Sequence, residues 1–197
     1  MAFDYAIALT GSIATGKSTA SSFLSSLGFH IIDADKVAHQ VLNVQSQAIS
    51  EMFGAELVND GVVDRKALGS MVFIDSTKRK ALESLLHPLI YDEIECQSLA
   101  LDNKKKPYLV DIPLFFEGER YPIEKSIVVY TTKEQQLERL MARNGYTQEE
   151  AQSRIDTQIP IEEKRKKATY VIDNSGTLTQ LEAECTRVTK EIADECD

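Results

Sequence analysis

The sequence predicts an α/β fold with a mainly parallel five-stranded sheet and helices on both faces. Three observations predict it. Five short apolar runs punctuate the chain, with stretches of helical periodicity between them. The first run is apolar at every position, as a strand buried on both faces requires. The length of 197 residues, 43% of them apolar, suits one domain with a sizeable core.

Tyr5 to Leu9 is the first strand, followed by a glycine-containing loop. Ala20, Phe23, Leu24 and Leu27 then fall at i, i+3, i+4 and i+7, and Gly28 stops that helix in the C-cap manner. Phe29 to Ile32 read as the second strand, ending at Asp33-Ala34-Asp35. From about Asp35 to Asn103 the chain reads as mostly helical, an inserted subdomain with a stripe of Leu82, Leu85, Leu86, Ile90 and Ile94. Pro88 lacks the helical donor, so a break or restart is expected at His87-Pro88. Strands follow at Tyr108 to Asp111, Ser126 to Thr131 and Thr169 to Asp173. Helices are expected at 133–143, 147–158 and Leu178 to Ala193. Strand–helix alternation implies right-handed crossovers and a covered parallel sheet. The expected organisation is a single domain. Its core is about 1–34, 104–132 and 168–197, its helical insertion about 35–103, and its lid about 133–167.

Composition narrows the class. No apolar run approaches a membrane span and no signal-peptide pattern opens the chain, so a cytoplasmic protein is expected. Cys96, Cys185 and Cys196 are widely spaced, without a CxxC pair, and read as reduced thiols. The net charge of -9 argues against nucleic acid and anionic membranes, and at first sight against nucleotides too. Its distribution removes the last objection. Residues 180–197 carry six acids and two bases, a balance of -4, on a solvated terminal helix. Lys17, Arg143, Arg154 and the basic run Lys164 to Lys167 lie elsewhere, and charges beyond about 8 Å are largely screened.

Gly11-Ser12-Ile13-Ala14-Thr15-Gly16-Lys17-Ser18 matches GxxxxGK[ST] between a strand and a helix. Gly11 and Gly16 permit backbone shapes that a side chain would block. The loop N–H groups then converge on a β-phosphate at a helix N-terminus. Lys17 can bridge β- and γ-phosphate oxygens, the Ser18 hydroxyl can ligate Mg²⁺, and Thr19 can reach the α-phosphate. Such a loop is called a P-loop, and it binds ATP or GTP without saying what becomes of the phosphate. A guanine-reading Asn-Lys-x-Asp after a strand is lacking, and a large motor ATPase needs more chain. A small-molecule kinase needs an acceptor base and cations over the transferring group. Asp33, at a strand end, suits the base, and Asp35 suits a helix N-cap. Arg139 and Arg143, four apart, and Arg154 suit a closing lid, although Glu138, Glu149 and Glu150 are available to pair with them. Asp111 ends the third strand, where an acid commonly supports Mg²⁺.

Taken in order, these segments resemble the dephospho-coenzyme A kinase family over essentially the whole chain. The resemblance rests on Leu9 to Thr19, Ile32-Asp33-Ala34-Asp35 with Ala38-His39, Asp64-Arg65 with Leu68-Gly69, and His87-Pro88-Leu89-Ile90. It continues through Asp111 to Glu117, Arg143-Asn144-Gly145, Glu149-Glu150-Ala151, Arg154-Ile155, Gln158, and Ala168 to Gly176. Ala14 departs from the family's usual glycine. The resemblance implies transfer of the ATP γ-phosphoryl to the ribose 3′-hydroxyl of dephospho-coenzyme A. It implies Asp33 as base and Lys17 and Arg143 as charge-stabilising groups. Gly11 to Thr19, Arg143 and Asn174 would contact ATP, and Asp33, Asp35, Arg65, His87 and Asp111 the acceptor. A monomer or weak homo-oligomer is expected. The alternatives are another small kinase, of nucleoside monophosphate or shikimate type, and a non-catalytic nucleotide-binding regulatory module.

Overall fold

The computed structural model describes residues 2–118 and 120–195, so Cys196 lies outside the described residues. The chain forms two compact units, residues 1–32 with 98–197 and residues 33–97. In the first unit, β1 (Ala6–Gly11) leads through the glycine-containing loop into α1 (Lys17–Ser26). That helix closes as a Schellman turn, with the Gly28 and Phe29 N–H groups donating to the Ser25 and Leu24 carbonyls. β2 (Ile31–Asp33) follows, and the chain returns to this unit at the end of a long helix. Then come β5 (Tyr108–Asp111), β6 (Lys125–Tyr130), α6 (Lys133–Asn144), α7 (Gln148–Ile155), α8 (Ile161–Lys167), β7 (Tyr170–Asp173) and α9 (Leu178–Asp194). Numbers 3 and 4 among the strands, and 2 to 5 among the helices, belong to the segment between β2 and β5.

The strand order is β2-β5-β1-β6-β7, with β1 parallel to β5 and β6, and β6 parallel to β7. Because β1 sits between later strands, the order reverses beside it, where ligands bind in open α/β sheets. The register aligns Leu9 with Asp111, Gly11 with Val129 and Tyr130 with Asp173. The carboxyl ends of four strands therefore share one edge with the loop.

Alternation along each strand divides the core. Ile127, Val129 and Ile172 pack with Ala20 and Leu24 of α1 and with Leu181, Cys185, Val188 and Ile192 of α9. Val128 and Tyr130 point the other way, onto Ile161 of α8 and Phe116. Both faces are covered, which explains the apolar strands. No helix among the described residues is long and apolar enough to cross a membrane.

The second unit is helical with one hairpin. It holds α2 (Ala34–Val44), α3 (Ser46–Phe53), β3 (Val58–Asn59), β4 (Val62–Val63), α4 (Arg65–Ile74) and most of α5 (Ser76–Asp102). Leu42, Ile49, Phe53, Leu57, Val63, Leu68 and Leu86 form its core. The antiparallel β3–β4 pair departs from the helical expectation. Asp60 and Gly61 both have positive φ, 50° and 78°, which makes a type I′ hairpin turn. The expected break at His87-Pro88 does not occur: α5 runs through Pro88 without interruption. Pro88 and Ser84, whose carbonyl loses its donor, are both exposed, so water satisfies that carbonyl while Leu86 and Ile94 stay buried.

Candidate active site

The loop joins β1 to α1 through residues 12–16. Gly16 is the N-cap of α1 at φ 87°, with no side-chain cap, so that helix start favours an anion, although the Thr19 N–H already donates to the Gly16 carbonyl at 3.0 Å. A Cβ on Gly16 would collide with the Asn174 side-chain amide. At Gly11 it would stand 2.7 Å from Thr15 Oγ1 and 3.1 Å from the Val129 carbonyl. Ala14 adopts φ 62°, the left-handed shape that explains the family's glycine there. Thr15, buried, folds the loop on itself: its hydroxyl and N–H donate to the Ser12 carbonyl at 2.9 and 3.2 Å. Ser12 Oγ is buried without a hydrogen-bond partner. Ser18 and Thr19 are exposed on the first turn of α1.

Lys17 and Asp111 form an ion pair, both side chains largely buried. The pair places Lys17 across the carboxyl ends of β1 and β5. Ser18 presents its hydroxyl at the exposed start of α1, and no group of three or more His, Cys, Asp or Glu side chains that could hold a metal occurs among the described residues.

Side chains distant in sequence hold the loop's backbone. The Ile13 N–H donates to Gln158 Oε1 at 2.9 Å, and the Ile13 carbonyl accepts from Gln136 Nε2 at 2.7 Å. Asn174 Nδ2 donates to the Thr15 carbonyl at 2.7 Å, and Arg139 Nη2 donates to the Asn174 carbonyl at 2.9 Å. Ile13 and Ala14 pack on Leu140, Ala151 and Ile155, the apolar seam between α6 and α7. Of the three arginines expected on the lid, Arg139 is the one whose hydrogen bond reaches the residue that holds the loop. Arg143 is exposed and donates to Asn144 Oδ1, while Arg154 lies 4.4 Å from the Tyr146 ring centroid. Of the expected acid partners, Glu150 is engaged in the Thr147 capping box that starts α7. Asn174 is buried and supports the loop through its carbonyl and its side chain.

Lys164 is the largest surprise. Read from the sequence only as the first member of a basic run, it has a side chain that is fully buried on α8, three residues after buried Ile161. Its Nζ donates to the Gly11 carbonyl at 2.9 Å and pairs with Glu117 Oε1 at 2.6 Å. Nothing in a Lys-Arg-Lys-Lys run distinguishes the member that turns inward.

In the second unit, Asp33 rather than Asp35 is the N-cap of α2: its Oδ1 accepts from the Lys36 N–H at 3.0 Å. Asp35 is exposed in the first turn. The competition was between two acids two residues apart, and the end of β2 decided it. Arg65, opening α4 behind its Asp64 cap, lies 2.8 Å from His39 Nε2. His87 is half-buried within α5.

Comparison with known proteins identifies the family. The family model described as dephospho-CoA kinase matches residues 5–180. The chain belongs to the dephospho-CoA kinase family. The dephospho-CoA kinase of Sulfurimonas denitrificans is 52% identical over 192 residues, 98% of this chain and 96% of that one. That of Helicobacter hepaticus is 47% identical over 182 residues, 90% and 88% of the two chains. Among solved structures, dephospho-CoA kinase from Campylobacter jejuni superposes with TM-score 0.80 at 39% identity, covering 97% of this chain and 98% of its own. Shikimate kinase from Acinetobacter baumannii shares the fold alone, with TM-score 0.55 at 16% identity. The dephospho-CoA kinase assignment is thereby favoured over a shikimate-type kinase and over a regulatory module.

Proposed function

We propose that residues 11–19 hold the phosphates of ATP and that Asp33 receives the ribose 3′-hydroxyl of dephospho-coenzyme A. The observation that carries this reading is the uncapped, left-handed entry to α1 beside the Lys17–Asp111 pair. Backbone N–H groups of the loop bind the β-phosphate, and Lys17 exchanges Asp111 for β- and γ-oxygens. Ser18 would hold Mg²⁺, which would supply charge neutralisation on the phosphates. Asp111 would support the ion's site and line the acceptor side.

Asp33 caps α2 through Oδ1, and its Oδ2, 3.4 Å from the exposed Lys36 ammonium, exchanges that cation for the hydroxyl that it orients and whose proton it accepts. The transition state is loose, so positioning outweighs early proton removal. Arg143, at the exposed end of α6, neutralises the γ-phosphoryl when the lid closes and water is excluded. Asp35, Arg65 and His87 hold the acceptor, and Asn174 shapes the nucleotide side of the loop. A cytoplasmic monomer or weak homo-oligomer without nucleic-acid or membrane partners fits the acidity.

The test is ADP formation from ATP with dephospho-coenzyme A, AMP or shikimate as acceptor. Turnover is expected with dephospho-coenzyme A alone. Turnover of AMP or shikimate instead would overturn the acceptor assignment, and acceptor-independent ADP formation would overturn the kinase reading. Lys17→Ala is expected to raise the KM for ATP and lower kcat, measured in the same assay.

A further inference from the structure

We infer that Lys164 is a positioning residue for phosphoryl transfer: with Glu117 it fixes the first peptide of the phosphate loop and ties it to the segment returning from the lid. The argument begins with desolvation. A lysine side chain with no exposure persists only where its ammonium is paired and hydrogen-bonded. Here both partners are specific. The Gly11 carbonyl, 2.9 Å away, closes β1, and Glu117 Oε1, 2.6 Å away, lies in the loop after β5.

A trans peptide points its C=O and N–H in opposite directions. Holding the Gly11 carbonyl therefore fixes the direction of the Ser12 N–H at the entrance to the loop. Glu117 Oε1 also accepts the Ile159 N–H at 3.2 Å, in the connection between α7 and α8. One ammonium–carboxylate pair thus joins the loop, the segment after β5 and the segment after the lid.

The helix carrying Lys164 is itself held in rotation. Ile161 is in the core, Tyr130 donates to Glu162 at 2.6 Å, and the Arg165 guanidinium lies 4.4 Å from the Tyr130 ring centroid. Residues on both sides of Lys164 fix α8 so that the lysine can only point inward.

This inference rests on reading residues 11–19 as the nucleotide site. Its test is steady-state kinetics and thermal unfolding of Lys164→Met, of the double variant Lys164→Met/Glu117→Leu, and of Lys17→Ala. An apolar replacement of both charges removes the buried pair without orphaning either member, so the double variant is expected to fold. With Gly11 unheld, its KM for ATP should rise by about tenfold or more, while the KM for dephospho-coenzyme A changes by less than about twofold. A folded double variant with wild-type kinetics, beside an impaired Lys17→Ala, overturns this inference alone. A normal Lys17→Ala removes the nucleotide-site reading and this inference with it. Should the double variant not fold, the ¹⁵N resonance of the Lys164 ammonium in the unaltered protein decides. It should shift in proportion to ATP saturation, and an unmoved resonance at saturating ATP overturns the proposal.

Discussion

At the level of single residues, one backbone position and one carboxylate lend themselves to direct tests. Ala14 sits at φ 62°, where a Cβ crowds the following carbonyl. Ala14→Gly should therefore stabilise the protein by up to about 1 kcal/mol, net of glycine's greater freedom when unfolded, read as a rise in Tm. Asp33 caps α2 and, in the proposed reading, also receives the acceptor hydroxyl. Asn retains the cap but cannot accept the hydroxyl proton, so Asp33→Asn should fold and bind ATP yet lose about 10²-fold or more in kcat. Unchanged ATP affinity by calorimetry alongside that loss would separate the two tasks.

At the scale of elements, α6 carries two arginines four residues apart with different surroundings. Arg139 supports Asn174, which supports Thr15, so its guanidinium acts on the loop's shape. Arg143 bonds only its neighbour's side chain among the contacts found, and is exposed. Arg139→Ala should cost about 1.5–3 kcal/mol in stability, the range for a charge-assisted hydrogen bond, and should raise the KM for ATP. Arg143→Ala should leave stability within about 0.5 kcal/mol and lower kcat. Unfolding curves and kinetics of the two variants side by side check this. The periodicity of α6 was legible from its residues. Which turn of it meets the loop depended on Gln136 reaching Ile13, a contact spanning 123 positions. The α5 helix illustrates the converse. Its apolar stripe was readable, but its continuity through Pro88 followed from the exposure of that side of the helix.

At the scale of the whole molecule, acidity and stability are linked through α9. Arg187 donates to Glu184, whose carboxylate also accepts the Asp173 N–H, and these bonds hold the Glu184 pKa below its ordinary value. A carboxylate depressed in the folded state contributes stability above its unfolded pKa, and that contribution is lost as pH falls through the folded value. Glu184→Gln should therefore lose less stability than the parent between pH 7 and pH 3, measured as Tm against pH. At the alkaline end, burial raises Tyr108 and Tyr170 to about 12, so stability should fall as pH climbs past the ordinary tyrosine value near 10.

The fold class was legible in contiguous residues, because five apolar runs mark the five strands of the main sheet, and eight consecutive residues carry the proposed phosphate loop. The type I′ hairpin at Asp60-Gly61 was also written locally and went unread beneath the helical pattern around it. Only the tertiary structure decided which charged side chains are used. Lys164 meets Gly11 across 153 positions, and Asn174 meets Thr15 across 159. A charge in a basic run has the same sequence signature whether solvated or buried. Its fate is set by desolvation and by partners that folding alone brings within hydrogen-bond distance.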